Sequence, residues 1–545
     1  MKPLKQHLMG ALFALGLCFS TTSTCIADEH PRLTNGEHGH YLTINNKPFL
    51  IRGGELDNSS ASSMEYMAPI WPKMQAMHLN TLLVPLYWEQ LEPEEGKFDF
   101  SPVDTLIKDA RRHNMKLVFL WFGSWKNSMS SYTPSWIKRD PVRFPRAISA
   151  EGIQQEILTP FSRNNLEADK KAYVELMKHI KKIDAKHQTV IMMQVENEIG
   201  MLPSARDHHP AAIKAFDSEV PQALMDYLAA NKHSLVPELT EAWGKQGFKT
   251  QGTWREVFGD GIWTEERFMA WYFARYTNEI TEAGKAIYPI PAFVNAALNH
   301  RNVLPGQYPS AGPLPQVFDF WKAGAPAIDL LAPDYYNPDF KHWSDLFVRQ
   351  GDPLFIPEHR FDNTVAAKAF FAYGHYDFLG FSPYDIDSAN NPNDQPIAKT
   401  YDIIRQTEHL LLNSKAGVTR DGVWLTKDNP QTIVQLEPEL SLIVKHDNTL
   451  GWTAASKQEE WSHAGAIIVK VDKETYYVFG TGIVITLKSE VHGKVYGFDR
   501  IDEGRFVKGQ WKSVRLLNGD QSHQGRHVRI PEGVWDIQKF KIYPY

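Results

Sequence analysis

The sequence predicts a (β/α)8 TIM barrel followed by an antiparallel β-sandwich. Three observations predict it. Between about residues 38 and 405, eight short apolar runs alternate with longer helical patterns. The runs are continuously apolar, as strands of a parallel sheet covered on both faces must be. Near residue 405 the pattern changes, and after one last helix strand-like runs separated by Gly, Asn and Asp take over. The boundaries that follow are a leader over 1–27, a (β/α)8 barrel over 28–418 and a sandwich over 419–545.

The leader comes first. Lys2 and Lys5 precede an apolar stretch, Leu8 to Phe19, and small residues lead to Cys25-Ile26-Ala27. This pattern predicts a secretory signal peptide and an exported, periplasmic or secreted protein. The stretch is shorter than the roughly 20 residues a membrane span needs, and no later segment is long and apolar enough. A lipid anchor on Cys25 is the alternative, although Thr22-Ser23-Thr24 matches a lipidation signal poorly. Both cysteines, Cys18 and Cys25, fall in the leader, so no disulfide framework and no cysteine metal site is expected. Losing Lys2 and Lys5 takes the formal charge from −6 to −8, which excludes a basic nucleic-acid footprint.

The eight runs are "FLIRGGEL" (49–56), "TLLVPLYW" (81–88), "KLVFLWFG" (116–123), "TVIMMQVE" (189–196), "IPAFVNAAL" (290–298), "IDLLAPDYY" (328–336), "PLFIPEH" (353–359) and "FLGFSPYD" (378–385). Eight strand–helix units suit a closed barrel. Leu166 to Ala185 reads as a helix capped by Asn165. Glu265 to Ile287 reads as a helix whose Phe268, Trp271, Tyr272, Tyr276 and Ile280 form a core-facing stripe. The long connection 200–289 contains Trp243, Trp254 and Trp263, which either line a substrate cleft or form a small core of their own. A last helix spans Asp402 to Asn413. The sandwich strands are "LSLIVKH", "AGAIIVKVD", "TYYVFGTGIVITL" and "KSVRLL".

Chemistry in a barrel of this kind sits at the C-terminal strand ends. The fourth run closes on Glu196-Asn197-Glu198 and the seventh on Glu358. Strands four and seven face each other across a closed eight-stranded mouth, so two acids distant in sequence can meet over one bond. A carboxyl pair suits glycosidic cleavage, one protonated to serve the leaving oxygen and one ionised. Glu196 is read as bracing these residues. Trp88, Trp121 and Trp125 lie at strand ends, where a ring either stacks on a sugar face or packs in the core. Glu92-Pro93-Glu94-Glu95-Gly96 reads as a solvated turn. His208-His209 lack metal-ligand spacing, and neither a phosphate-binding glycine loop nor a serine nucleophile elbow occurs, so no metal and no cofactor is expected.

Three motifs in order resemble glycoside hydrolase family 35, the β-galactosidases: "QVENEIG" (194–200), "YWEQLEPEEGKFDFS" (87–101) and "TPSWI" (133–137). The resemblance covers the barrel. It implies Glu198 as general acid/base, Asn197 as partner of the sugar 2-hydroxyl, and Glu358 as nucleophile. It further implies a tyrosine hydrogen-bonded to the nucleophile, Tyr336 first and Tyr335 next. Many members carry a galactose-contacting Glu before the position of Trp125; here Ser124 stands there, and "FIPEHR" departs from the aromatic-rich nucleophile segment. "GGELDNSS" (53–60), "GFSPYDID" (380–387) and the single sandwich are similar to a bacterial subset acting on galactosylated plant polysaccharides such as xyloglucan. That likeness makes Glu55, Asn58, Asn295, Tyr384 and Asp385 candidate sugar contacts, each with the alternative reading of a strand-end cap or loop hydrogen bond.

The reading is therefore a retaining exo-acting β-galactosidase with a carbohydrate substrate. Its alternatives are another retaining glycosidase of the same clan (a β-glucosidase, β-mannanase or arabinosidase) and a non-catalytic carbohydrate-binding barrel. For the sandwich, covering the barrel flank is weighed against polysaccharide binding through Trp452, Trp461, Trp511 and Trp535.

Overall fold

The computed structural model describes residues 30–36, 39–299, 302–412 and 418–545. The predicted leader, with Cys18 and Cys25, lies outside them. Among the described residues no helix is long and apolar enough to cross a membrane.

All eight predicted runs form strands of one parallel sheet: β1 (Ile51–Arg52), β2 (Thr81–Tyr87), β3 (Lys116–Lys126), β4 (Val190–Asn197), β5 (Ala292–Ala297), β6 (Leu330–Tyr335), β7 (Leu354–His359) and β8 (Phe378–Pro383). Their spatial order is β1-β8-β7-β6-β5-β4-β3-β2. The ring closes between β1 and β2 by a parallel bridge from Glu55 to Leu83. There the Leu83 N–H donates to the Gly54 carbonyl at 2.9 Å and the Leu56 N–H to the Leu83 carbonyl at 3.1 Å. Every residue of β2, β4, β7 and β8 is buried. Burial on both faces is why these strands read as unbroken apolar runs.

Helices cover the ring. One spans Arg163–Asp184, and its N-cap is Ser162, whose hydroxyl accepts from the Asn165 N–H, rather than Asn165 itself. The Asn165 amide instead donates to the Pro145 and Thr159 carbonyls, both at 2.9 Å. Another helix spans Ile262–Ile287, with Phe268, Trp271, Tyr276 and Ile280 buried. In the long β4–β5 connection, Trp243 and Trp254 pack against Phe248, Phe258, Phe268 and Phe320, and these rings continue the barrel's own apolar core rather than forming a separate one. Trp263 is exposed.

The C-terminal region forms two antiparallel sheets of six and four strands. Val423, Leu442, Val444, Ile468, Val478, Ile485 and Phe540 fill the space between them. The run "TYYVFGTGIVITL" is two strands, Thr475–Thr481 and Ile483–Ser489, in different sheets. Gly482 between them has φ +74°, a conformation that favours glycine, and turns the chain from one sheet to the other. Strand Tyr496–Val507 was not legible in the sequence, because its exposed, charged residues hide the alternation.

The outer face of the six-stranded sheet meets the barrel. Ile467, Val469, Tyr477, Phe479 and Ile537 join the barrel's own apolar core. The helix Val365–His375 approaches so closely that a Cβ on Gly422 would stand 2.3 Å from the Phe371 carbonyl oxygen. Trp511 packs on Tyr477 and Phe506, and the Trp535 indole donates to Thr400 at 3.1 Å. Both tryptophans therefore serve this junction, whereas Trp452 is exposed.

Candidate active site

The polar residues that end β4, β6 and β7 converge at the C-terminal mouth of the barrel. A carboxylate oxygen from each of Glu198, Asp334 and Glu358 lies within 4.8 Å of the others. The two glutamates, 160 positions apart in the chain, thus share one small volume.

The backbone of β4 is shaped for this. A regular strand would send Glu196 and Glu198 to one face and Asn197 to the other. Instead Glu196 and Glu198 adopt left-handed conformations, with φ of +63° and +44°. Such conformations cost non-glycine residues of order 1–3 kcal/mol and cluster at functional sites. Their effect is to break the alternation. Glu196 turns to the back of the sheet, where its Oε2 accepts from the Trp125 N–H at 2.7 Å. Asn197 and Glu198 are left at the mouth. Glu196, read as bracing Asn197 and Glu198, instead holds the β3 backbone at Trp125.

Behind β3 and β4 is a dense polar knot. Asp169 accepts from the Trp121 indole at 2.9 Å and from the Ser124 N–H at 3.1 Å, and Ser124 Oγ sits 3.0 Å from the Tyr276 hydroxyl. Gly123 is required here, since an added Cβ would fall 2.3 Å from the Trp121 indole nitrogen. Ser124 therefore points away from the mouth, and its position supplies no sugar contact. The residue that enters the site from β3 is Lys126. Its Nζ donates to Asn127 Oδ1 at 2.6 Å and to Asn197 Oδ1 at 2.9 Å. Asn197 Nδ2 is buried without a partner.

Glu198 is held by Asn295. The Asn295 Oδ1 accepts the Glu198 N–H at 3.1 Å, and its Nδ2 donates to Asp334 Oδ2 at 2.6 Å. Asn295, a candidate sugar contact, uses one bond from each amide end to fix two acids. Glu358 accepts the Tyr336 hydroxyl on Oε1, and its Oε2 is buried and unpartnered. Tyr335 faces away and pairs with Ser344 at 2.6 Å. His359 is buried, with its Nδ1 2.7 Å from the Arg360 carbonyl oxygen, while Arg360 lies over the Tyr336 ring at 5.7 Å.

Electrostatics raise three of the acids. Burial, then the charge of Glu358, lifts Glu198 to about 7. Burial first and Glu358 second push Glu55 and Asp334 well above the usual carboxylate range. Burial works against the charge of Lys126, but Glu358, Glu198, Glu55 and Asp334 outweigh it and raise its pKa. The site thus combines carboxyls that hold their protons near neutrality with a fixed cation.

Other predicted residues are placed as follows. Glu55 is wholly buried and neither oxygen has a partner. Tyr384 packs edge-on against Tyr336 at 6.3 Å and accepts from Asn58 Nδ2 at 3.1 Å. Asp385 occupies a left-handed turn with φ +55°. Two expectations need correction. Trp88 is 0% exposed, its indole donating to Glu92 at 2.8 Å and its ring against Trp121 and Trp136. Trp125 is also 0% exposed and packs edge-on to Phe273 and Tyr276 on the surrounding helix. Neither offers a face to a sugar, because both rings fill the layer between sheet and helices. Glu92, expected in a solvated turn, is buried and closes that turn by accepting the Trp88 indole and the Gly96 N–H.

Two residues at the mouth escaped the sequence reading. Asp334 carries the signal that exposed Glu198, an acid in an apolar strand. Lys126 does not: β3 runs three residues past its apolar segment, and the register shift that pairs Lys126 with Asn197 is a tertiary event.

Comparison with known proteins gives a partial likeness. Residues 62–259 match the glycoside hydrolase family 42 model, described as Beta-galactosidase, and residues 397–529 match a domain of unknown function. The first span holds Lys126, Asn197 and Glu198 but stops before Glu358. Over 182 residues the chain is 29% identical to beta-galactosidase-1-like protein 3 of Mus musculus, covering 32% of this chain and 26% of that protein. Over 315 residues it is 21% identical to a beta-galactosidase of Arthrobacter sp, covering 52% of this chain and 40% of the relative. The chain thus spans between about a quarter and two-fifths of the length of these curated relatives. Solved structures similar to it include the beta-galactosidase from Bacillus circulans sp. alkalophilus, at TM-score 0.47 and 14% identity over 67% of this chain and 57% of that one. Another is the beta-galactosidase from the psychrophilic Marinomonas ef1, at TM-score 0.45 and 13% identity over 67% and 61%.

Proposed function

We propose that the chain is a retaining exo-β-galactosidase that works by double displacement with Glu358 and Glu198. One observation carries this reading: Glu198 and Glu358 each bring a carboxylate oxygen within 4.8 Å of the other, close enough for both to reach one anomeric carbon. Carboxyl groups about 5–5.5 Å apart act directly on the anomeric carbon, whereas a gap of about 6.5–9.5 Å is needed to admit the water of an inverting enzyme. The family match and the curated relatives support galactose as the sugar, and the likeness of "GGELDNSS", "GFSPYDID" and the single sandwich to a bacterial subset of family 35 adds galactosylated plant polysaccharides such as xyloglucan as the natural polymer. The leader pattern adds export.

In the first step a Glu358 oxygen bonds to the anomeric carbon. The bond from that carbon to the glycosidic oxygen breaks, its electron pair stays on the oxygen, and Glu198 supplies the proton. In the second, water attacks the same carbon, gives its proton to Glu198, and Glu358 departs as carboxylate. Tyr336 orients the nucleophile, and Asn197 Nδ2 donates to the 2-hydroxyl, a contact that strengthens as the ring flattens.

Replacing Glu358 with Gly removes the nucleophile while leaving the acid. The Glu358→Gly variant is expected to lose turnover of nitrophenyl β-galactoside and to regain part of it in azide, which attacks from the vacated side. A variant that keeps near full activity overturns the assignment. In a panel of nitrophenyl glycosides, a dominant rate on a sugar other than galactose, fucose or arabinose overturns the specificity.

A further inference from the structure

The two-glutamate mechanism makes no use of Lys126, yet this side chain is only 6% exposed and sits among the acids. Burying an ammonium is costly unless it is paired and hydrogen-bonded. Its visible bonds go to Asn127 and Asn197, two amide oxygens.

The bond to Asn197 carries information. An amide side chain is nearly symmetric in shape, and either its oxygen or its NH2 can face a ligand. An ammonium is donor only. With Lys126 Nζ 2.9 Å from Oδ1, the flipped amide would set N–H against N–H, so that orientation is excluded. The opposite end, Nδ2, is buried and unpartnered. An unsatisfied buried donor costs about 1–3 kcal/mol, which a ligand acceptor recovers. Residues 197 and 126 are also register partners, so backbone pairing and side-chain bond hold the same geometry.

We propose that Lys126 is a positioning residue that locks the Asn197 amide with its NH2 turned toward the hydroxyl next to the anomeric carbon of the bound sugar. The inference rests on the retaining-glycosidase reading above. It makes the preference for a substrate bearing that hydroxyl a property of Lys126 as much as of Asn197.

The test compares kcat/KM for a nitrophenyl β-galactoside and its 2-deoxy analogue in the full chain. Wild type is expected to prefer the hydroxylated substrate by about 100-fold or more, the usual worth of a donor aimed at a transition state. Lys126→Met is expected to reduce that ratio at least about tenfold, toward the value of Asn197→Ala, with the loss in kcat rather than KM. Lys126→Arg keeps a cationic donor and is expected to retain most of it. A purely structural role would lower both substrates together, so an unchanged ratio in Lys126→Met overturns the proposal. If that variant does not fold, Lys126→Gln serves: its own amide accepts either orientation of Asn197, so the ratio should relax, and an unaltered ratio again overturns the lock. A wild-type chain that turns over neither substrate defeats the glycosidase reading instead. The lock is then read by calorimetry with galactose and 2-deoxygalactose, where loss of preference in Lys126→Met supports it and an unchanged preference overturns it.

Discussion

Replacing Glu198 with glutamine should stabilise the protein at alkaline pH while disabling it. Glu198 is lifted from the ordinary 4.5 to about 7, chiefly by burial and secondly by the charge of Glu358. Such a displacement corresponds to about 3 kcal/mol in favour of the neutral form. In the folded state the carboxyl keeps its proton to higher pH than in the unfolded chain. Between the two values the folded state therefore binds more protons, and stability falls as pH rises. The cost of ionising buried Glu198 is absent well below 4.5 and complete above 7. A glutamine side chain never ionises and escapes it. The advantage of Glu198→Gln should grow from under about 1 kcal/mol near pH 5 to about 3 kcal/mol near pH 8. Thermal unfolding of both proteins at the two pH values reads this as a few degrees gained by the variant at pH 8 and little at pH 5. The same group predicts a basic limb near pH 7 in the wild-type kcat/KM profile, because the donor must be protonated. A stability difference that does not change with pH, or a rate that stays flat through pH 7 to 9, refutes the assignment of Glu198 as the buried proton donor.

The remaining predictions concern Glu358, the proposed nucleophile, and the C-terminal sheets. Tyr336→Phe removes the hydroxyl that Glu358 accepts, and is expected to lower kcat by about 100-fold with KM little changed, as read in steady-state kinetics. Truncation after residue 418 strips the sheet from the helix Val365–His375, and the apolar junction formed by Ile467, Val469, Tyr477 and Phe479 is lost. Such a chain is expected to aggregate, as measured by the soluble fraction on expression, and a soluble, active truncation overturns the covering role of the sheets.

The parts of the fold legible in the sequence share one physical feature. Continuous apolar runs survive only where a strand is covered on both faces, and all eight barrel strands are. The strand Tyr496–Val507 breaks that rule through its exposed charges and was not legible, and the single run at 475–487 concealed a change of sheet at Gly482. At the site, Glu198 and Glu358 stood out because an ionisable group ends an otherwise apolar strand. Trp88 and Trp125 show the converse limit: an aromatic at a strand end has the same letter whether its ring lines the mouth or fills the space behind it.

By itself, then, the amino-acid sequence determined the layered pattern of the chain and the identity of its acids, since both follow from which residues tolerate burial. The tertiary structure decided what those acids share. Distances across the barrel, the left-handed turns at Glu196 and Glu198, and the register that sets Lys126 beside Asn197 arise only when eight strands close into a ring. The protonation of Glu198 is decided there too, because its solvent and its neighbours are made by segments far away in the chain.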